Sequence, residues 1–331
     1  MADTDLEQLG INVIRGLAMD APQRANSGHP GTAMALAPLA HVLWTRVMRY
    51  DPTDPAWPDR DRFVLSAGHA CILLYSMLYL TGYGLTLDDL KSFRQWDSRT
   101  PGHPEVHHTP GVDITTGPLG QGFASAVGMG IAERWLRARF DREICDHHTF
   151  VICSDGDLEE GISNEAASLA GHLGLGRLVY VYDDNHISID GPTELAYSDD
   201  VAGRFRAYGW HVQQLGEVAN DTKKLESALR RAKNVEDKPS LVIVRSHIGW
   251  PSPRWTDTEQ AHGRTHVVAE AEEGAAEGED AAVQRHSVED GAHAVLADAE
   301  VEQTAAGVVV RLDAVVLEVG ARVPGEVGAP A

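Results

Sequence analysis

The sequence predicts an α/β fold in which helices flank a parallel β-sheet. A short apolar, β-prone run at 149–153 is followed by helically spaced apolar residues and then by a second such run at 178–182. A buried strand, a crossover helix and a second buried strand form a right-handed unit whose two strands are parallel. Similar runs at 61–66, 209–215 and 240–246 extend the predicted sheet to at least five strands.

The spacing of apolar residues predicts the helices around this sheet. The crossover helix has apolar residues at helical intervals and ends at the Gly174–Gly176 turn. Its apolar positions are Ile162, Ala166, Leu169 and Leu173. Five further helices are expected at about residues 5–20, from Met34 to about Val47, at 71–80, from Phe123 to about Arg139, and at 222–233.

Composition excludes several functional classes. The formal net charge of −21 over 331 residues makes non-specific binding to nucleic acid or to an anionic membrane unfavourable. No stretch is apolar over the length of a membrane span, and the acidic start does not resemble a signal peptide. Cys71, Cys145 and Cys153 are widely spaced, without a zinc or redox pattern, so we expect reduced thiols in a cytoplasmic protein.

The composition changes near residue 266. Residues 1–265 are expected to form the α/β domain, and 266–331 a linker and tail, because 269–282 are mostly Ala, Glu, Gly and Asp. The runs at 307–312 and 315–320 regain β character. They resemble part of a lipoyl or biotinyl carrier domain, but no lysine follows Lys238 to serve as an attachment point, so a terminal hairpin or disordered extension is the favoured interpretation.

Polar residues follow the two strands of the crossover unit. Asp155 and Gly156 come directly after the first strand, and Asn185 after the second. Because the strands are parallel, these residues share the sheet edge where open α/β sheets bind ligands. Asp-Gly alone is a common turn, but this pair of motifs in matched strand contexts favours a divalent cation carrying a diphosphate.

Four histidines lie in glycine-containing loops: His29, His69, His103 and His262. A single loop histidine is most often incidental. His69, however, follows the carboxyl end of the 61–66 run and therefore lies on the same side of the sheet as Asp155.

Together these motifs resemble, in order, those of the transketolase family of thiamine diphosphate enzymes. The resemblance extends from about Leu6 to His262, about four-fifths of the chain. Ser154 replaces the glycine that usually precedes Asp155, a modest departure that should leave Asp155 usable. The matching segments are Ser27–Gly31, Ser66–His69, Thr100–Glu105, Gly117–Gly122, Asp155–Ser163, Asp183–Gly191 and His262–Gly263.

The resemblance implies a cofactor, thiamine diphosphate, held in a thiamine-diphosphate-binding fold with Mg²⁺ (or Ca²⁺). Asp155 and Asn185 would bind the cation through side-chain oxygens, and Ile187 through its carbonyl. The residues implied to contact the diphosphate are Gly156, His69 and His262.

The remaining implied roles concern the cofactor ring, the substrate and a partner. Gly117 and Leu119 would line the thiazolium and aminopyrimidine region through backbone groups. His29 and His103 would hydrogen-bond the hydroxyl and oxyanion of a ketose donor, with His262 near the reacting oxygens. Glu160 would lie at a subunit interface, in a carboxylate network that reaches the partner active site.

The domain that binds the aminopyrimidine in this family, and the arginines that bind the sugar phosphate, have no counterpart in this sequence. The chain alone is therefore expected to be inactive. A separate pyrimidine-binding transketolase subunit is expected, in an α2β2 heterotetramer with each active site between unlike chains.

Three functions remain open. The leading hypothesis is transfer of a two-carbon ketol unit from a ketose phosphate to an aldose phosphate. In the second, the unit passes to a lipoyl or carrier-protein thioester in a specialised pathway. In the third, the chain is a non-catalytic pseudo-subunit, although the intact ligand and histidine set argues against it.

Overall fold

The computed structural model describes residues 3–263 and three later strands. In chain order the strands are β1 Arg62–Leu65, β2 Thr149–Ser154, β3 Leu178–Asp184, β4 Ile187–Ser188, β5 Gly191–Pro192, β6 His211–Gln214, β7 Ser240–Arg245, β8 Ala299–Thr304, β9 Gly307–Leu312 and β10 Val315–Gly320.

The α-helices of the described residues lie before β1, between strands of the sheet and after β7. They are α1 Asp3–Ala25, α2 Pro30–Ala35, α3 Ala37–Val42, α4 Cys71–Leu80, α5 Leu87–Lys91, α6 Gln121–Phe140, α7 Asp155–Glu159, α8 Gly161–Leu173, α9 Val201–Ala207, α10 Thr222–Lys233 and α11 Glu259–Gly263. A π-helical turn spans Leu43–Val47, and 3-10 turns span Gly68–Ala70 and Thr193–Leu195.

Five strands form one parallel sheet in the order β1-β2-β3-β7-β6, which confirms the predicted fold class. The register pairs Ser154 at the end of β2 with Asp183 near the end of β3. Asp155 and Asn185 therefore leave the sheet at the same edge. The short antiparallel pair β4–β5 follows β3 and was not predicted from the sequence.

Alternate strand residues face two hydrophobic layers. On one face, α1–α4 and α10 pack against side chains such as Phe150, Ile152 and Val181. On the other, α6, α8 and α9 pack against Val151, Tyr180 and Ile243. Because both faces are covered, the strands are continuous apolar runs rather than alternating ones.

The prediction of one continuous helix from Met34 to Val47 is wrong. The chain leaves the helical conformation at Leu36 (φ −92°, ψ 6°), which separates α2 from α3. Pro38 lies at the start of α3, where its missing N–H costs no hydrogen bond. A proline in the interior of a longer helix would remove a backbone hydrogen bond, so the apolar run is divided here.

Helix α8 forms where predicted and ends at Gly174, whose φ of 60° is the left-handed conformation favoured by glycine. The apolar residues that predicted it do not all face the core. Ile162 and Leu169 are 37% and 46% exposed, whereas the small residues Ala167 and Ala170 are buried. Periodicity thus identified the helix but not its buried face.

The strands β8, β9 and β10 form a separate antiparallel sheet, so the β character predicted at 307–312 and 315–320 is confirmed. The predicted linker segment at 269–282 lies outside the described residues, and the division at residue 265 stays a prediction. Within the described part of the chain, no helix has the length and hydrophobicity needed to cross a lipid bilayer.

A buried aspartate ties together the amino-terminal ends of the first two strands. Asp61 accepts hydrogen bonds from the backbone N–H groups of Arg49 (2.9 Å) and His148 (2.7 Å) and forms an ion pair with Lys233 of α10 (3.0 Å). Burial raises the pKa of Asp61, but the contacts with His148 and Lys233 outweigh it and hold the pKa well below its usual range.

Asp61→Asn should therefore destabilise the protein by about 2–4 kcal/mol near neutral pH, because it removes a buried charge partner and one acceptor. A depressed folded pKa contributes stability above the unfolded value of about 3.9, and this stability is lost as the pH falls towards the folded value. Denaturant unfolding at several pH values should show the difference from wild type shrinking below about pH 4. The exposed Asp88→Asn is the control, and a gap independent of pH would contradict the assignment.

Candidate functional site

The predicted cation ligands lie at the carboxyl edge of the sheet, between β2 and β3. Asp155 is buried and accepts a hydrogen bond from the Tyr182 hydroxyl. The Asn185 side chain donates to Asp183 (2.9 Å) and accepts from the N–H of Ile187 (2.8 Å). Ile187, the third predicted ligand, is thus held beside Asn185 at the start of β4.

Burial and mutual repulsion perturb the carboxyl groups at this edge. Burial raises the pKa of Asp155 to about 7, and the nearby charges of Asp183 and Asp184 add to the effect against the Tyr182 hydrogen bond. Burial likewise raises the pKa of Asp183 to about 6, although Ser246 and Asn185 hydrogen-bond to it. Clustered buried carboxyls are stabilised when a cation neutralises them, so this donor set fits a hard divalent ion.

A third buried carboxyl group, Asp157, supports the turn after β2 and was missed in the sequence analysis. It accepts hydrogen bonds from the Ser66 hydroxyl (2.6 Å) and from the N–H groups of Gly120 (2.8 Å) and Ser154 (3.0 Å). Three separate segments therefore meet at one side chain. The Ser-x-x-Asp spacing at the start of α7 was the available signal, since it is typical of a helix N-terminus.

The loop at 117–120 lies against both the Asp-Gly turn and a predicted substrate histidine. A Cβ atom on Gly156 would come within 2.8 Å of Leu119 Cδ1, so the two residues are in close contact. Gly117 has φ +153° and approaches the His103 ring so closely that a Cβ would lie 3.2 Å from it. Leu119 therefore lies against Gly156, and Gly117 lies against His103.

Three of the four predicted histidines form one cluster. The ring centroids are separated by 5.2 Å for His29 and His69, 5.6 Å for His29 and His262, and 5.1 Å for the stacked pair His69 and His262. Burial, reinforced by the neighbouring imidazoles, lowers the pKa of His29 to about 4 and that of His69 to about 3. Burial also lowers the pKa of His262. All three rings are therefore neutral at pH 7.

His103 lies beside this cluster, and two residues that the sequence analysis missed flank it. Burial and the positive Arg94 lower the pKa of His103, against the opposing charge of Glu105. Arg94 has a buried Nη1 atom with no hydrogen-bond partner among the described residues. Tyr75 of α4 positions the loop by donating to the carbonyl of His103 (2.9 Å). Nothing in the local sequence indicates these contacts, because they cross between distant segments.

Hydrogen bonds hold the start of the loop that leads to His262. His247 contacts Asp257 through Nδ1 and Glu217 through Nε2, both at 2.6 Å. The N–H of Gly249 donates to the carbonyl of Gly31 (3.0 Å), which joins this loop to the helix that follows His29. His29 and His262 are thereby positioned by two segments that are bonded to each other.

Glu160 does not join the buried group. It is exposed at the N-cap of α8, and its Cβ lies so near Gly120 that a side chain there would collide with it. Its predicted role is at an interface, and an exposed position on this side of the loop at 117–120 is compatible with that role.

Comparison with known proteins places these features in a family. Residues 6–277 match the family described as Transketolase, thiamine diphosphate binding domain. Transketolase 2 of Escherichia coli is 57% identical over 256 residues, which is 76% of this chain and 38% of the relative. A transketolase of Nostoc sp. is 54% identical over 267 residues, 80% of this chain and 40% of the relative.

Solved structures of transketolases are also similar to this chain. The transketolase of Pichia stipitis in complex with sedoheptulose-7-phosphate matches with a TM-score of 0.77 and 49% identity, over 78% of this chain and 39% of that one. A transketolase from Leishmania mexicana matches with a TM-score of 0.78 and 45% identity, over 87% of this chain and 45% of that one. The chain thus spans less than half the length of these relatives.

The contact between α2 and α11 gives a direct test of how the histidines are held. A Cβ on Gly31 would lie 2.3 Å from the carbonyl oxygen of Ala261, so Gly31→Ala must push the helix after His29 away from the helix that contains His262. We expect a loss of about 1–3 kcal/mol of unfolding free energy, measured by denaturant titration. The control is Gly128→Ala on α6, where a Cβ meets nothing within 4 Å. That variant should be neutral or slightly stabilised, and equal losses in both would contradict the close contact.

Proposed function

Because this chain belongs to the transketolase family and contains its thiamine diphosphate-binding domain, we propose that it forms the diphosphate half of a transketolase active site. The enzyme would transfer a two-carbon ketol unit from a ketose phosphate to an aldose phosphate. The observation that supports this most directly is the buried carboxyl cluster at the sheet edge, together with neutral histidines on neighbouring loops.

The cation in this proposal is Mg²⁺, with Ca²⁺ as a substitute. Asp155 and Asn185 would bind it through side-chain oxygens, and Ile187 through its backbone carbonyl. The raised pKa values of Asp155 and Asp183 support a cation here, since burial and repulsion would otherwise favour their protonated forms. Thiamine diphosphate would supply the electron sink for cleavage of the donor's C2–C3 bond.

The histidines would bind and orient the reacting groups. Burial keeps each ring neutral, so each can donate from one nitrogen and accept at the other. The Nδ1 atoms of His29 and His262 are buried and have no hydrogen-bond partner among the described residues, which supports their contact with a ligand. His69, Gly156 and His262 would contact the diphosphate, and Gly117 and Leu119 the ring region.

The donor would be a hydroxyketose. Two imidazoles, those of His29 and His103, would hydrogen-bond its hydroxyl and oxyanion as neutral rings, each donating from one nitrogen and accepting at the other. A donor of the pyruvate type lacks the C1 hydroxyl that such a pair would recognise. Arg94, whose buried Nη1 has no hydrogen-bond partner within the described residues, adds a fixed positive charge next to His103 and would favour a developing negative charge there.

A pyrimidine-binding subunit would complete the site, in an α2β2 heterotetramer. The support is an exposed apolar surface on α6 and α8, which we call the α6–α8 face. Trp135 is 62% exposed, and Ile162 and Leu169 remain uncovered on the neighbouring helix. Large apolar residues grouped in this way mark protein interfaces. Glu160, exposed at the start of α8, would meet the partner at the edge of this face. The α6–α8 face comprises Ile131, Trp135, Phe140, Ile162 and Leu169.

Cofactor binding gives one test of this proposal. Thiamine diphosphate with excess Mg²⁺, titrated into the chain mixed with a transketolase pyrimidine-binding half, should quench tryptophan fluorescence saturably. Asp155→Ala should weaken that binding by at least about 100-fold, because it removes a charged ligand. Asp237→Ala changes an exposed aspartate between α10 and β7, at the amino-terminal end of β7, and should leave the binding unchanged. The absence of saturable binding in the wild-type mixture would instead favour a non-catalytic pseudo-subunit.

Assembly and turnover give the second test. The mixture, but neither half alone, should convert a ketose phosphate and an aldose phosphate into the exchanged pair of sugars. Trp135→Lys should weaken association by about 2 kcal/mol, or roughly 30-fold, measured by sedimentation. Trp96→Lys is the matched control, since Trp96 is fully exposed and lies outside the α6–α8 face. Transfer only to a lipoylated acceptor, or equal effects of the two substitutions, would contradict the proposal.

A further inference from the structure

A cluster of metal-ligating side chains lies at the opposite end of the sheet from the candidate active site. Asp59 precedes β1, and Cys145 and His147 precede β2. The Cys145 Sγ and His147 Nδ1 atoms are 3.6 Å apart, and His147 Nδ1 lies 3.7 Å from Asp59 Oδ1. All three ligand atoms are within 4.8 Å of one another. No residue of this cluster has a role in the proposed sugar chemistry.

We propose that Asp59, Cys145 and His147 form a binding site for a zinc-type transition-metal ion. Zinc bonds of about 2.3 Å to sulfur and about 2.0–2.2 Å to nitrogen and oxygen, at tetrahedral angles, separate ligand atoms by roughly 3.3–3.6 Å. The two measured separations need to change by only a few tenths of an ångström to meet that geometry. The three ligand atoms are therefore already grouped within 4.8 Å of one another in the folded chain, and adjustments of the side chains would bring them to a common ion.

The chemical types of the three ligands determine which metal ions the site favours. A thiolate and an imidazole favour Zn²⁺, Co²⁺ or Cd²⁺ over Mg²⁺ and Ca²⁺, which prefer oxygen ligands. The site at Asp155 and Asn185 offers only oxygens, so the two sites differ in the ions they prefer. Excess Mg²⁺ can therefore occupy one without competing at the other.

Charge balance is also compatible with a divalent ion. The thiol proton would leave to solvent as the Zn–S bond forms, and a thiolate with one carboxylate neutralises the ion. Arg49 binds the other oxygen of Asp59 at 2.5 Å, and the N–H of Asp146 contacts Oδ1 at 2.6 Å, so the carboxylate is already oriented.

The ion would be structural. It would join the segment before β1 to the segment before β2, and so reinforce the pairing of these two strands. Cys145 and His147 are buried, whereas the Asp59 side chain is 13% exposed. Solvent can therefore reach the site from the Asp59 side, and a water would complete the four ligands.

Cobalt titration of the full chain in excess Mg²⁺ tests this site. Wild type should develop a thiolate-to-cobalt charge-transfer band that saturates at one ion per chain, and should retain one zinc after dialysis. Cys145→Val keeps an apolar side chain of similar size, and His147→Gln keeps a polar one. Both should lose the band and the retained zinc, and zinc should raise the melting temperature of wild type only.

Cys71→Ala is the matched control, because it removes another buried thiol that lies after the carboxyl end of β1 and is not part of the cluster. It should keep both the band and the zinc. Circular dichroism and melting without metal establish that each variant is folded, and His147→Gln provides a second measurement if Cys145→Val fails to fold. The proposal is overturned if wild type shows no thiolate band, or if the band survives in either ligand variant.

Discussion

The site depends above all on the hydrogen bonds to the buried Asp157 carboxyl group. Three segments donate to it: the end of β1 through Ser66, the loop at 117–120 through Gly120, and the end of β2 through Ser154. Burial raises the pKa of Asp157 despite these bonds, so the group is held at some cost in desolvation. The same contacts fix where the Asp-Gly turn lies relative to the loop that contains Gly117 and Leu119.

The side chains of the site are of two kinds: those that position other groups, and those that are predicted to bind a ligand. Tyr75, Ser246 and His247 hold loops or carboxyl groups through hydrogen bonds. The predicted ligands instead have perturbed pKa values, or atoms without a partner in the part of the chain that the structure describes. The Nδ1 atoms of His29 and His262 are examples, as is the Asp155 carboxyl. Buried groups in this state are costly in an isolated chain, which is the expected arrangement for a preorganised binding site.

On the α6–α8 face, too, the residues that pack the fold differ from those that are available to bind a partner. Helix α8 was predicted from its apolar residues, yet Ile162 and Leu169 point to solvent and the helix packs on the sheet through alanines. Small residues allow the close helix packing, and the large ones remain available for another surface. The apolar positions of this helix therefore reflect both the fold and the partner proposed for it.

The sequence by itself determined the parallel α/β architecture, the bounds of helices such as 71–80 and 222–233, and the motifs around Asp155, Asn185 and the four histidines. These signals are local, since buried strands, helix periodicity and turn residues each act within a few positions. Only the tertiary structure decided the break at Leu36, the exposed side of α8, and the contacts of Asp157, Arg94 and Asp59 with distant segments. The physical reason is that burial, pKa shifts and ligand distances arise from residues far apart in the chain.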